Sequence, residues 1–257
     1  MRYNNILIEH KENYALITIN RPKQLNALNA QTILELNHAI IEADQKTSVR
    51  CILITGAGDK AFVAGADIKE FADLNTEQGK ELARKGQELL FNLLSNLSTP
   101  SIALVNGFAL GGGLELAMAC HIRIASNNAK LGLPEVSLGV IPGYGGTQRL
   151  RELVGKGKAL EMICTATMLS AEEALQVSLV NYTCHLSELL EKGLQIAQKI
   201  ARNSPNAISQ AIKAVNDGFY TLGFDSEIEA FGQCFQTDDF KEGTTAFLEK
   251  RKAKFNH

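Results

Sequence analysis

The stretch SIALVNGFALGGGLELAMACHIRIAS, residues 101–126, decides the fold that the sequence predicts. Its first part, SIALVNG, is a short apolar run that ends at Gly107, which is typical of a buried strand. GGLELAMAC, from Gly112 onward, predicts a short buried helix, and HIRIAS, residues 121–126, predicts the next strand. A strand, a helix and a second strand in this order indicate an α/β fold with a largely parallel sheet.

Elements of the same kind precede this stretch. ILIEHK (6–11) and YALITIN (14–20) predict two strands, and CILITG (51–56) predicts a buried strand that again ends at a glycine. Apolar residues at helical spacing predict helices over 31–45 and 76–97. The echo between CILITG and SIALVNG favours a superhelical unit that repeats along the chain.

The pattern changes after about residue 145, where strand signals nearly vanish. Helical patterns cover most of the remaining chain, over 146–163, 170–178, 186–203, 205–219, 224–236 and 239–250. No Ser/Gly-rich linker separates the two parts. We therefore expect an α/β core followed by a helical region that serves as a lid or in assembly.

Composition and charge exclude several classes of protein. The 257 residues carry 26 basic and 28 acidic side chains, a formal charge of −2, and 45% of them are hydrophobic. This is typical of a soluble globular chain, and it gives no electrostatic reason to expect nucleic acid or a membrane surface as a partner. Five scattered cysteines without a C-x-x-C motif indicate reduced thiols, so we expect a cytoplasmic protein. The histidines lack metal-ligand spacing, and we expect no metal.

Two segments bear on targeting. Residues 89–114 contain no charged side chain, but Asn, Ser, Pro and a run of glycines interrupt them, which favours a buried core over a membrane span. The N-terminal twenty residues carry charges throughout and have no apolar signal core. We therefore expect neither a membrane helix nor an export segment.

Two glycine-rich segments are candidate binding loops: AFVAGADIKEF (61–71) and NGFALGGGLELAMAC (106–120). Glycine lets a ligand approach backbone N–H groups, and the second segment places its glycines at a helix start, where N–H groups lack partners. Two such N–H groups from separate loops are what an oxyanion hole requires. The alternative is that these glycines only permit close packing. GAGDKA (56–61) resembles a dinucleotide-binding turn, but no helical pattern follows it.

Two glutamates are candidates for acid–base catalysis. Glu115 lies in the apolar helix GGLELAMAC, and Glu135 lies in the apolar loop LGLPEVSLGV. A buried carboxylate is unfavourable unless it has a partner or a function, and burial moves its pKa towards neutrality. The alternative is a structural role, in which Glu115 is a capping residue or pairs with Arg123, and Glu135 pairs with Arg149.

With these residues in place, the sequence resembles the enoyl-CoA hydratase (crotonase) family over nearly its whole length. Five ordered motifs carry the resemblance: INRPKQLNAL (19–28), AFVAGADIKEF (61–71), VNGFALGGGLELAMAC (105–120), LGLPEVSLGVIPGYGGTQRL (131–150) and TDDFKEGTTAFLEKRKAKF (237–255). Their number and order make chance a negligible explanation.

The resemblance implies a particular architecture. It predicts a crotonase-like α/β spiral of ββα units over residues 1–190, which holds the catalytic and CoA sites. It also predicts a C-terminal helical trimerisation region over residues 191–257, which covers CoA. The family resemblance further implies a homo-oligomer, a hexamer built as a dimer of trimers.

The resemblance also assigns roles to individual positions. It places the oxyanion-hole amides on Ala66 and Gly112 and the two catalytic glutamates on Glu115 and Glu135. Gly143 matches a family glycine beside the reacting carbons. Further substrate and CoA contacts are implied for Ala64, Gly65, Asp67, Ile68, Lys69, Phe247 and Lys250, with the last two lying over the CoA of a neighbouring subunit.

The implied reaction is the reversible addition of water to a trans-2-enoyl-CoA. The acyl-CoA thioester is the substrate, and no metal or redox cofactor is needed. The alternatives are another crotonase-family reaction, enoyl-CoA isomerisation or acyl-CoA hydrolysis, and a non-catalytic CoA- or RNA-binding protein on the same fold. Tyr144, His121 and Val63 depart from common family residues, and they leave the acyl-chain preference open.

Overall fold

Ten strands form two sheets in the computed structural model, which describes residues 3–203, 205–217, 228, 231–232 and 235–253. Six strands form the larger sheet, in the order β1-β2-β3-β5-β7-β10: Ile6–His10, Tyr14–Ile19, Cys51–Gly56, Ser101–Val105, Ile122–Ser126 and Tyr182–Cys184. Four strands form the smaller sheet, in the order β4-β6-β8-β9: Ala61–Val63, Phe108–Leu110, Lys130–Gly132 and Leu169–Ser170.

The α-helices of the described residues are numbered α1 to α9 in chain order. They span Ala30–Gln45, Thr76–Gly86, Asn92–Ser95, Gly112–Ala119, Gly146–Thr165, Ala171–Gln176, Leu189–Ala201, Pro205–Asp217 and Asp238–Leu248. Short 3₁₀ turns cover Pro22–Gln24, Ile68–Glu70, Glu135–Leu138 and Leu186–Glu188. The predicted helices of the C-terminal part are confirmed within the described residues, apart from a break inside 146–163. Residues 218–219 and most of 224–236 lie outside the described residues.

The chain alternates between the sheets, and this alternation makes the spiral. Strands β3, β5 and β7 lie in the larger sheet, and each leads directly to a strand of the smaller sheet, β4, β6 or β8. Within each sheet these neighbours pair in parallel. Each turn therefore brings the carboxyl ends of successive strands to the same side of the molecule. The predicted repeat is confirmed, and the GAGDKA segment leads from β3 into β4, not into a helix.

Side-chain caps fix where the helices begin. The Asn29 side chain accepts from the Thr32 N–H at 2.9 Å at the start of α1. Capping boxes open α2, between Asn75 and Gln78, and α6, between Ser170 and Glu173. Each cap satisfies N–H groups that have no partner inside the helix.

Two predicted helices are interrupted. The helix predicted over 76–97 contains a π-helical turn at Gln87–Phe91 between α2 and α3. The helix predicted over 146–163 is broken at Gly155, whose φ of +77° is not helical. Apolar spacing continues across both points, so the pattern alone gives no sign of either break.

The hydrophobic core lies on both faces of the larger sheet. On one face, β2, β3 and β5 pack with α1, including Leu36 and Ile40. On the other face, Leu53 and Leu104 pack with Leu189 of α7. Among the described residues no helix is long and apolar enough to cross a membrane, and no group of three or more metal-ligating side chains occurs.

Candidate active site

A cavity of about 400 Å³ opens between the segments that follow β4, β6 and β8 and the C-terminal helix α9. The residues that the sequence places in the site line it from four segments: Ala64, Gly65, Ala66, Asp67, Ile68, Lys69, Gly112, Glu115, Glu135, Gly143 and Phe247. Lys250 is exposed and does not line it. The first three segments directly follow strands β4, β6 and β8, and all three strands end at this side of the spiral.

The Ala66 amide points into the cavity because of how its neighbours are paired. Leu28 donates its N–H to the Gly65 carbonyl at 2.9 Å and accepts the Asp67 N–H at 2.7 Å. Ala66 therefore faces Leu28 in an isolated parallel bridge. The residue bracketed by such a pair of bonds turns its own N–H to the opposite side. That side is the cavity.

The Gly112 amide lies next to that of Ala66. Gly112 is the first residue of α4, so its N–H has no partner within the helix. A Cβ built on Gly112 would lie 3.5 Å from the Ala66 nitrogen. Neither N–H donates a hydrogen bond to another part of the described chain. Two adjacent donors at a helix N-terminus can stabilise a negatively charged oxygen.

The neighbouring glycines show that part of the glycine run serves turn geometry and close packing. Gly111 has φ +52° and ψ −125°, a conformation that L residues rarely adopt, and it turns the chain from β6 into α4. Gly113 packs so closely that a Cβ would lie 1.9 Å from the Val63 carbonyl oxygen. One glycine shapes the turn, another permits packing, and Gly112 between them presents its amide.

Glu115 is buried one turn into α4, with 1% of its surface exposed. Its Oε1 accepts the backbone N–H groups of Tyr144 and Gly146, each at 2.8 Å. These bonds fix the orientation of the carboxylate at the cavity wall and favour its charged form. Pairing with Arg123 is wrong, because this guanidinium donates only to backbone carbonyl oxygens, those of Leu179, Cys120 and Ala117.

Glu135 begins the 3₁₀ turn that follows β8. Its carboxylate lies against the Gly111 backbone, where a Cβ would be 2.9 Å from Oε1. Gly111 immediately precedes the Gly112 amide, so the carboxylate is next to the pair of amides. Arg149, which the sequence offered as its partner, donates to the Tyr144 carbonyl at 2.9 Å and to Asn92 Oδ1 at 2.9 Å.

Tyr144 forms part of the cavity wall. One face of its ring stacks on Phe91, with 4.6 Å between centroids, and its two edges lie against Gly86 and Gly112. Burial raises the pKa of the phenol, and the Glu115 carboxylate adds to this effect, so the hydroxyl stays neutral. The ring thus occupies apolar space directly beside the Gly112 amide.

The other two departures from the family pattern lie behind the site. His121 accepts the Ser101 N–H on Nδ1 at 3.0 Å, and burial lowers its pKa to about 4. As a neutral ring it therefore links the segment that follows α4 to β5. Val63 contributes to the close contact with Gly113 already described.

Phe247 lies on α9 and lines the cavity of its own chain. Its predicted contact with the CoA of a neighbouring subunit stays a prediction. Helix α9 approaches the turn at Glu135–Leu138 because Gly243, lacking a side chain, lies directly against the Leu138 backbone. Lys250 follows α9 with φ +55°.

Comparison with known proteins decides the family. The sequence matches the model of the enoyl-CoA hydratase/isomerase family over residues 9–257. This chain belongs to that family, the crotonases. It is 49% identical to a short-chain-enoyl-CoA hydratase of Clostridium acetobutylicum, covering 98% of this chain and 97% of that one. It is 47% identical to a crotonyl-CoA hydratase of Syntrophomonas wolfei, covering 99% of each.

The fold is also that of the crotonase family. The structure of an enoyl-CoA hydratase from Bacillus anthracis matches with a TM-score of 0.78 at 38% identity, covering 98% of this chain and 99% of that one. The predicted spiral with helices at its C-terminal end is thus the fold of this crotonase.

Some residues of the crotonase site were missed by the sequence reasoning. Phe71, Leu82, Val140 and Phe231 line the cavity and make its inner part apolar. They come from α2, from loops and from the C-terminal part, and no local motif groups them. The INRPKQLNAL motif was noted, but none of its residues was assigned a role, although Gln24, Leu25 and Ala27 also line the cavity.

Proposed function

We propose that this crotonase catalyses the reversible addition of water to a trans-2-enoyl-CoA, giving a 3-hydroxyacyl-CoA. The protein is an enzyme, a hydro-lyase. The observation that carries the proposal is that one cavity holds both Glu115 and Glu135 beside the adjacent amides of Ala66 and Gly112. Relatives whose names state this activity align with nearly the whole chain.

The amides stabilise the charge that the reaction develops. The thioester carbonyl oxygen accepts hydrogen bonds from the Ala66 and Gly112 N–H groups. When water adds to Cβ, the electron pair of the double bond moves towards this oxygen, and an enolate-like charge forms there. One donor of this kind contributes about 3–4 kcal/mol to lowering the barrier.

The two carboxylates move the protons. Glu115, held by the N–H groups of Tyr144 and Gly146, accepts a proton from the water as its oxygen bonds to Cβ. Glu135 donates a proton to Cα, which discharges the enolate. The two groups therefore begin the cycle in different protonation states. Since carboxylates and amides supply every step, the proposed reaction uses no metal or redox cofactor.

The CoA part of the substrate contacts the same segments. Residues 64–69 lie along the cavity entrance, and Lys69 on the turn Ile68–Glu70 is exposed there. Phe247 supplies an aromatic face that can cover the adenine, and Lys250 supplies a charge for the CoA phosphates. Both contribute to binding and neither to chemistry.

A short acyl chain fits this cavity best. Tyr144 fills the space beside Gly112, and Phe91 behind it prevents its displacement. The relatives in Clostridium acetobutylicum and Syntrophomonas wolfei carry the names short-chain and crotonyl-CoA hydratase. We propose that crotonyl-CoA is accepted better than longer enoyl-CoA thioesters.

We also propose that the enzyme acts in the cytoplasm as a dimer of trimers. The described cysteines, Cys51, Cys120, Cys164 and Cys184, are free thiols, which suits a reducing compartment. Apolar side chains of the helical part remain exposed on the single chain, including Leu190 at 43% and Val215 at 64%. A partner subunit that buries this surface would be stabilising.

Replacing the two glutamates tests the proposal. We expect Glu115→Gln and Glu135→Gln each to slow crotonyl-CoA hydration by at least ~100-fold, the usual effect of losing a general acid or base. Loss of enoyl absorbance measures the rate. Glu161→Gln is the matched control, because Glu161 pairs with Lys158 on the exposed side of α5. Near wild-type turnover in either folded site variant would contradict the assigned role.

A further inference from the structure

The loop Arg21–Leu28 contains two adjacent residues in an unfavourable backbone conformation. Leu25 has φ +49° and Asn26 has φ +59°, and neither is a glycine. Residues other than glycine enter this left-handed region rarely, asparagine more readily than leucine, and a leucine persists there only where surrounding contacts enforce it. Such strain is concentrated at functional sites, and this loop lies at the edge of the cavity.

Asn26 supplies the contacts that enforce the conformation. Its side chain is 1% exposed. Oδ1 accepts the Arg21 N–H at 3.0 Å, while Nδ2 donates to the carbonyls of Ala57 and Ala61 at 3.0 and 2.7 Å. One buried amide therefore ties the loop both to its own start and to the turn between β3 and β4.

The loop in turn holds the backbone on both sides of Ala66. The Ala64 N–H donates to the Leu25 carbonyl at 3.0 Å, and Leu28 brackets Ala66 through its bonds to Gly65 and Asp67. An ion pair closes the same connection, with Arg21 Nη2 3.1 Å from Asp67 Oδ2. The Arg21 guanidinium also donates to the Ala27 carbonyl.

We propose that Asn26 and the Arg21–Asp67 pair are positioning residues of the oxyanion hole. They touch no reacting atom. They hold the 21–28 loop in its strained form, and this loop directs the Ala66 N–H towards the oxygen that the Gly112 N–H also meets. The inference rests on the proposed function, because it assumes that a thioester oxygen occupies this place.

Three variants separate the side-chain contacts from the backbone conformation. Asn26→Gly adopts the left-handed conformation freely but removes all the side-chain ties. Asp67→Asn keeps the shape of the side chain and removes its charge. Arg21→Lys keeps the positive charge but lacks the guanidinium group that contacts both Asp67 and the Ala27 carbonyl. Arg21 and Asp67 are partly exposed, so these variants preserve the test if Asn26→Gly does not fold. Glu161→Gln again serves as the ion-pair control.

Two measurements distinguish positioning from a structural role. We expect kcat for crotonyl-CoA to fall ~10–100-fold while KM changes less than ~3-fold, because a misplaced amide affects the charged transition state more than the neutral substrate. The second probe is acetoacetyl-CoA, whose enolate shares its charge with the thioester oxygen and absorbs in the near ultraviolet. We expect the variants at saturation to show less of this enolate band than the wild type.

The outcomes are distinct. Unchanged kcat and an unchanged enolate band in folded variants would overturn the inference, and so would a lost kcat with a full enolate band. If the wild type itself fails to hydrate crotonyl-CoA, the proposed function fails. If the wild type hydrates it and the variants match it, only the positioning role fails.

Discussion

Replacing Tyr144 should change which acyl chains the enzyme accepts. In Tyr144→Ala the ring that lies between Gly86 and Gly112 is removed, and the cavity extends towards Phe91. The backbone N–H that orients Glu115 remains, so the catalytic carboxylate keeps that donor. Only the space beside the acyl chain is altered.

The expected size of the change in substrate preference depends on how completely the Tyr144 ring fills the space beside Gly112. Tyr144 is 7% exposed and lines the cavity, so its ring forms part of the cavity wall. One methylene that a pocket accepts or rejects changes kcat/KM by roughly 10–200-fold. Hexenoyl-CoA is longer than crotonyl-CoA, and we expect its kcat/KM relative to crotonyl-CoA to rise at least ~10-fold in Tyr144→Ala. Truncating a buried aromatic residue also destabilises a protein by about 3–5 kcal/mol, so Tyr144→Leu serves as a milder variant.

The assay offers crotonyl-, hexenoyl- and decenoyl-CoA side by side and follows the loss of enoyl absorbance. Tyr144→Phe is the control, because it keeps the ring and its stack on Phe91 while removing only the hydroxyl. Circular dichroism verifies that each variant is folded. An unchanged preference in folded Tyr144→Ala, or an equal change in Tyr144→Phe, would refute the idea that the ring limits the chain.

Three other predictions test the remaining parts of the site and the assembly. Ala66→Pro deletes an oxyanion donor, so kcat should fall ~100-fold or more with native circular dichroism, and an unchanged kcat would exclude this amide. Lys250→Ala should raise KM for CoA substrates with little change in kcat, and the effect should shrink at high salt because an exposed charge is screened; a constant KM at low ionic strength would assign Lys250 to solvent. Light scattering at micromolar concentration should give the mass of a hexamer, whereas a 28.0 kDa monomer would refute the assembly.

The α/β spiral could be predicted because short segments of the sequence indicate each of its strands and helices. Buried strands that end at a glycine, such as CILITG and SIALVNG, form β3 and β5 at the predicted places. The residues of the candidate site could also be proposed from the sequence, because Ala66, Gly112, Glu115 and Glu135 each lie in a short motif of adjacent residues. Their convergence on one cavity follows from the parallel strands that precede them.

Other features depend on contacts that no local pattern encodes. Leucine has no preference for a left-handed conformation, so its conformation at Leu25 depends on contacts between distant residues, such as those of Asn26 with the Ala57 and Ala61 carbonyls. The π-helical turn at Gln87–Phe91 and the break at Gly155, one of the glycines inside the pattern 146–163, follow from packing rather than from the apolar spacing. The place of Phe247 depends on α9 meeting the turn after β8, which are far apart in sequence.

The bracketing of Ala66 by Leu28 has a consequence for how mutational data on this enzyme are interpreted. The donor at position 66 belongs to the backbone, and the residue there is already alanine, while the partner donor belongs to a glycine. Alanine scanning leaves the first position untouched, and at Gly112 it adds a methyl group without removing the N–H. A survey of side-chain deletions would therefore detect the two carboxylates and overlook both amides. Only changes to the main chain, such as proline or an ester in place of the amide, report on this half of the machinery.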